Sequence, residues 1–184
     1  MLNFRNDPTA FRAFITEYQD KVYNIVLNQV QNAEDAEEIT QDVFVAVFQK
    51  PGAFRGNSAV STWLYRIAIN KSIDHLRKKQ SNKRRGLLRL FTRSSVSGEE
   101  NELKDFSHPG IVSENKEKAV ILFKAMKKLS ENQHTAWVLS EMENMSYKEI
   151  SEIMDVSVSS VESLLFRARQ NLRKILSGMY PGNE

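Results

Sequence analysis

The sequence predicts an all-α protein of two small helical domains joined by a flexible basic linker, the second domain carrying a helix-turn-helix. Three observations predict it. Apolar residues recur at three- and four-residue spacing through both ends of the chain, and no alternating strand pattern competes. From Gln80 to about Ser113 that periodicity fails, with Ser, Asn, Gly and Pro scattered among charges, which reads as a linker. Near the C-terminal end, two capped helices follow one another around a very tight corner.

Asp7-Pro8 makes an N-cap and first-turn pair, and Phe11, Phe14, Ile15, Tyr18, Val22, Ile25 and Val26 form the buried stripe of a first helix running to about Val30. Asn32 caps a second helix. Its first turns carry Glu34, Asp35, Glu37 and Glu38, suited to the positive helix end, and Ala36, Ile39, Val43 and Val47 mark its buried side. Pro51-Gly52 stops it. A loop through Phe54 to Ala59 leads into a third helix, begun by Ser61-Thr62-Trp63 and expected to reach roughly Lys79. After the linker, Val120, Phe123, Met126 and Leu129, then Ala136, Trp137 and Val138, supply helices to pack under the helix-turn-helix.

Ser146 followed by Glu149 is a capping box, with Tyr147, Ile150, Ile153 and Met154 as the apolar face of the next helix. Ser157 then caps a last helix with Val161, Leu165, Ala168 and Leu172 inward. Glu162, Ser163, Phe166, Arg167 and Gln170 are left outward, a mixture of groups suited to base edges, thymine methyls and phosphates in a major groove. The same two helices would also suit an ordinary bundle with a solvated outer face.

Composition narrows the function. At 184 residues, 41% hydrophobic and 27% charged, the chain can bury one or two real cores. The net charge is +3, but Lys71, Arg77, Lys78, Lys79, Lys83, Arg84, Arg85, Arg89 and Arg93 fall in one stretch opposed by Asp74 alone, which fits a polyanion or a solvated linker. The lack of cysteine excludes disulfides, zinc fingers and thiol nucleophiles. His75, His108 and His134 lack metal-ligand spacing and read as surface or partly buried side chains. With no phosphate loop, nucleophile elbow, apolar run of about twenty residues or signal-peptide core, the expectation is a soluble cytoplasmic protein that is not an enzyme and needs no cofactor or metal.

Three stretches carry a resemblance: Ala33-Glu34-Asp35-Ala36-Glu37-Glu38-Ile39-Thr40-Gln41-Asp42-Val43-Phe44; Phe54-Arg55-Gly56 through Ser61-Thr62-Trp63-Leu64-Tyr65-Arg66-Ile67-Ala68-Ile69-Asn70; and Ser146 to Arg169 with its Leu-Phe-Arg-Ala-Arg ending. In this order, separated by a linker, they resemble the extracytoplasmic-function sigma factors of bacterial RNA polymerase, over nearly the whole chain. The resemblance implies residues 1–79 as the domain that binds core polymerase and recognises and melts the minus-ten element, 80–113 as linker, and 114–184 as the domain that recognises the minus-thirty-five element. The implied partners are core RNA polymerase, promoter DNA and an anti-sigma factor that can hold the protein inactive at the inner face of the membrane; no small-molecule substrate is implied.

By the same resemblance, Glu38, Gln41 and Asp42 meet polymerase, though such acids also suit a solvated helix start. Arg55, Asn57 and Ser58 line a pocket for an unpaired minus-ten base, Trp63, Arg66 and Asn70 face the junction of duplex and single strand, and Arg77 and Lys78 contact phosphates. Trp63 fits a core position equally well. Ser159, Ser160, Glu162, Ser163, Phe166 and Arg167 are matched to the minus-thirty-five element, with Arg169 and Arg173 on phosphates. Glu162 and Leu164 depart from the cationic residues of many relatives, and Asp155 stands where a corner glycine is common; Asp tolerates the left-handed backbone. Competing readings are a stand-alone repressor or response-regulator-like protein with a C-terminal helix-turn-helix, which predicts a palindromic operator bound without polymerase, and a protein-binding helical adaptor, which predicts no DNA dependence.

Overall fold

A computed structural model describes Phe4, residues 7–50, Phe54, Gly56, residues 58–91 and residues 116–179. These contain seven α-helices and no strand: α1 (Pro8–Val30), α2 (Ala33–Gln49), α3 (Val60–Phe91), α4 (Lys116–Met126), α5 (Glu131–Trp137), α6 (Tyr147–Met154) and α7 (Val158–Met179). A single π-helical turn, Val138–Met142, follows α5 directly. The caps expected from sequence form. Asp7 accepts from Ala10 N–H at 2.9 Å and Asn32 from Asp35 N–H at 2.8 Å, each satisfying a donor that a helix start leaves without an intrahelical partner.

The inward stripes form as well, and they build two separate cores. Phe14, Val22, Val26, Ala36, Ile39, Val43, Val47, Leu64 and Ala68 bind α1, α2 and α3 together, with Phe4 closing one end against Phe11 and Phe14. Phe123, Met126, Leu129, Val138, Ala168 and Leu172, with Trp137 packed against them, bind α4, α5, the π-helical turn and α7.

A third cluster joins the two units. Ile25 of α1 and Ile69 of α3 pack with Ala136, Leu139, Ile150, Ile153, Val161 and Leu165. Full burial of one such isoleucine contributes about 1.5–3 kcal/mol, so this seam is a real part of the fold. It explains why every residue from Ile25 to Gln31 is buried. One face of α1 is covered by its own unit and the other by the α4–α7 unit. Three of these residues are polar: Asn28, Gln29 and Gln31 are all under 8% exposed. Gln29 Nε2 donates to Thr135 Oγ1 at 2.9 Å, and Gln31 Nε2 lies 3.5 Å from His134 Nε2. Gln29 and Gln31 also line a cavity of about 310 Å³ between the units, and their carboxamide oxygens are buried.

Two expectations are corrected. α3 does not stop near Lys79 but continues through the basic segment to Phe91. Gln, Lys, Arg and Leu are good helix formers, and their propensity carries a charge-rich segment that has no long apolar stripe. His134 is not a surface side chain: it is buried at the seam between the units, and that burial, with Lys127 second, pushes its imidazole down to about 4. His75 is half-buried, 3.2 Å from Asp35 Oδ1, an ion-pair distance without hydrogen-bond alignment. His108 and most of the expected linker lie outside the described residues. Among the described residues no cluster of His, Asp and Glu is arranged to hold a metal, and no helix is long and apolar enough to cross a membrane.

Candidate nucleic-acid interface

The C-terminal helix-turn-helix is built by caps. Ser146 accepts from Glu149 N–H at 3.3 Å while the Glu149 carboxylate accepts from Ser146 N–H at 2.8 Å and from its hydroxyl at 2.7 Å. The hydroxyl bond, then the backbone bond, holds the Glu149 carboxyl below its usual range. α6 ends at Asp155, whose φ of 57° and ψ of 47° make the left-handed corner that sequence assigned to it. Ser157 Oγ then accepts from Ser160 N–H at 3.2 Å, and α7 starts.

On α7, Val161, Leu165, Ala168 and Leu172 are buried and Glu162, Ser163, Phe166, Arg167, Gln170 and Arg173 are exposed. Phe166 is 61% exposed, a large aromatic held in water on an otherwise polar face. Ser159 is exposed and Ser160 half-buried, and the Ser163 hydroxyl donates to Ser159 O at 3.0 Å. Arg169 is less free than its exposed neighbours. Its guanidinium donates to Glu141 Oε1 at 2.7 Å, which, ahead of a bond to Tyr147, raises its pKa.

On α2, Glu38, Gln41 and Asp42 share an exposed face, with Asp42 3.2 Å from Lys71. Val45 and Phe48 prolong this face with exposed apolar surface, and Phe48 leans on Phe11 at 5.0 Å between ring centres. Sequence reading passed over these two. The signal was present, since positions 38, 41, 45 and 48 fall at helical spacing.

Before α3, Arg55 and Asn57 lie outside the described residues. Between them Gly56 takes φ 76°, which favours glycine, and Ser58 is half-buried with its hydroxyl 3.4 Å from Ala59 O. Trp63 is half-buried: it packs on the first core and lies 5.6 Å from the Phe54 ring, so it has both a core side and an open side. Asn70 and Lys78 are exposed. Arg66 and Arg77 both contact the α4–α7 unit. Arg66 donates to the carbonyl oxygen of Glu152 at the end of α6 and lies 3.9 Å from Asp155 Oδ1. Arg77 makes a two-pronged contact with Glu131 at 2.9 and 2.7 Å, which raises its guanidinium pKa. The arrangement therefore brings α3's cations to the second unit.

Comparison with known proteins accounts for both units. Residues 14–82 match the family model described as Sigma-70 region 2, and residues 119–172 match Sigma-70, region 4. The chain is 34% identical over 179 residues to the RNA polymerase sigma-H factor of Pseudomonas aeruginosa, covering 94% of this chain and 89% of the relative. It is also 34% identical over 170 residues to the ECF RNA polymerase sigma-E factor of Escherichia coli, covering 90% and 86%. Among solved structures, the fold resembles the sigma factor RpoE in its complex with the anti-sigma factor NepR from Bartonella quintana, with a TM-score of 0.65 at 20% identity over 91% of this chain and 97% of that one. It also resembles CnrH in complex with the cytosolic domain of CnrY, with a TM-score of 0.64 at 19% identity over 96% and 93%. Two region models in the order expected, together with relatives aligned over nearly the whole chain, establish that this protein belongs to the sigma-70 family as an RNA polymerase sigma factor of the extracytoplasmic-function group.

Proposed function

We propose that residues 1–79 anchor core polymerase and melt the minus-ten element, that residues 114–184 read the minus-thirty-five element, and that the segment between them spans the two tasks. The observation that carries this reading is the outward face of α7: Glu162, Ser163, Phe166 and Arg167 stand in water over a fully buried stripe, as a helix lying in a major groove requires. Phe166 suits a thymine methyl, Glu162 a cytosine amine, and Arg167, Arg169 and Arg173 the phosphates. The acidic face of Glu38, Gln41 and Asp42 meets cationic polymerase residues, with Val45 and Phe48 as its apolar continuation. Ser58, Trp63, Arg66 and Asn70, with Arg55 and Asn57, receive the unpaired strand. Capture of a flipped base offsets the few kcal/mol of unstacking, so melting needs no fuel and no catalytic residue. The protein works in the cytoplasm, where polymerase and promoter are. An anti-sigma factor is the fitting inhibitor, because two structurally similar proteins were solved in complex with such a factor or with the cytosolic domain of another protein.

Run-off transcription with purified core polymerase over a promoter library tests this. Specific initiation is expected with the wild type and is expected to fall at least tenfold with Glu38→Lys/Asp42→Lys, while the variant keeps its helical circular dichroism. Core-independent binding to a palindrome, with no stimulation on any template, would overturn it.

A further inference from the structure

Where Lys21 and Asn28 of α1 meet the second unit, the seam is filled. The Glu143 side chain is only 4% exposed there, with Lys21 Nζ 2.6 Å from its Oε2 and Asn28 Nδ2 donating to its Oε1 at 2.8 Å. Past Asn28, at the end of α1, the seam is hollow: the cavity of about 310 Å³ lies between α1, α3, α4 and α5. That volume falls in the range of small-molecule pockets. Three kinds of chemistry meet in its lining. Val30, Leu76, Met126 and Leu129 supply apolar surface. Gln29 and Gln31 are 2% and 7% exposed, and the carboxamide oxygen of each is buried without a hydrogen-bond partner. A buried acceptor that lacks a donor is unfavourable, so these two oxygens ask for one. Arg77, Lys79, Lys83 and Lys127 supply cations, and all four also reach solvent, which puts them at the rim. Two carboxylates share the lining and both are engaged: Asp35 accepts from Lys79 at 2.7 Å and Glu131 from Arg77 at 2.7 Å. Cations therefore outnumber acids around the hollow. His134, also in the lining, adds no charge at pH 7, because burial and then Lys127 keep its imidazole neutral.

We propose that this cavity binds a small anion of the nucleoside monophosphate class: its base lies against Leu76, Met126 and Leu129 with N–H groups for the carboxamide oxygens of Gln29 and Gln31, and its phosphate meets the rim at Lys83 and Lys127. Apolar surface alone would suit a hydrocarbon, and cations alone a nucleic-acid backbone. Both together, with buried acceptors in one hollow of this size, select a flat body that carries donors and has one anionic end. The site is separate from the outward face of α7 and from the acidic face of α2, and it goes beyond the promoter and polymerase roles. Because the ligand touches both units, it adds by mass action to the stability of the assembled chain.

Calorimetric titration of the full chain with adenosine, guanosine, cytidine and uridine monophosphates tests this, with ribose 5-phosphate, the free nucleosides and benzoate as partial probes. At least one monophosphate should bind one-to-one and at least tenfold more tightly than its nucleoside, ribose 5-phosphate or benzoate. In protein carrying isotope-labelled methionine methyls, the Met126 signal should shift with the same saturation. Lys83→Glu/Lys127→Glu, at two exposed positions of the rim, should weaken binding at least tenfold. Lys148→Glu/Lys174→Glu makes the same charge change at exposed positions of α6 and α7 outside the lining, and should leave binding within twofold. No saturable binding at millimolar concentration, an unmoved Met126 methyl, or equal loss in the two charge variants would overturn the proposal. So would ribose 5-phosphate or benzoate binding as tightly as the best monophosphate. A single-stranded oligonucleotide that displaces the monophosphate at lower concentration, and is weakened by the same rim variant, would reassign the rim to a nucleic-acid backbone and overturn it too. Polymerase and promoter are absent from these titrations, so their outcome and that of run-off transcription are independent.

Discussion

His134 shows how one side chain reports the packing of two units. Buried beside Gln31 and near Lys127, its imidazole titrates at about 4 instead of the ordinary 6.5. Between those values the unfolded chain takes up a proton that the folded chain refuses. Stability from this group is therefore complete above about 6.5 and is lost progressively as pH falls toward 4, by at most about 3 kcal/mol. Urea unfolding at pH 7 and pH 4.5 should show that loss, and His134→Gln should flatten the slope between the two. A wild type equally stable at both pH values would refute the assignment. Sequence could not give this, because a lone histidine after Ser130 carries no mark of the glutamine that α1 sets against it.

Each element's start was legible where a side chain closes it. Asp7, Asn32, Ser146 and Ser157 all accept the backbone donors their positions implied, and Asp155 takes the left-handed corner. Ser146→Ala removes the capping bond and the serine hydroxyl's bond to Glu149, so a loss of about 1 kcal/mol is expected, read as a lower midpoint in thermal melting. A midpoint that does not move would mean α6 is held by Ile150 and Ile153 alone. The inward stripes of α1, α2 and α7 were equally legible, since period and burial are two views of one geometry. What escaped was everything depending on a second surface. Asn28, Gln29 and Gln31 read as a polar helix end, and only the α4–α7 unit makes them interior. Arg66 and Arg77 were assigned to DNA from their place in the chain, with no means of seeing the carboxylates opposite. The end of α3 escaped for another reason: helix propensity without an apolar stripe leaves no periodic trace.

At the scale of the whole molecule, the cluster around Ile25, Ile69 and Leu139 ties two cores that could otherwise melt independently. Calorimetry of the free protein should therefore give one cooperative transition, with calorimetric and van't Hoff enthalpies equal; two resolved peaks would show that the seam couples nothing. The exposed pair Arg77–Glu131 adds little to that coupling, and less at high salt. The apolar seam and the buried Glu143 dominate it. That carboxylate is aimed by the π-helical turn Val138–Met142, in which Glu143 N–H reaches back five residues to Val138 O at 3.1 Å. Such a turn holds one residue more than an α-helix needs. Deleting a single residue there would turn everything that follows by about 100° around the helix axis, the angle one residue subtends. An ancestor without the extra residue would have carried the same cap, corner and reading helix, but pointed elsewhere. The heritable step that set the bearing of the DNA-reading head against α1 can thus have been as small as one inserted codon.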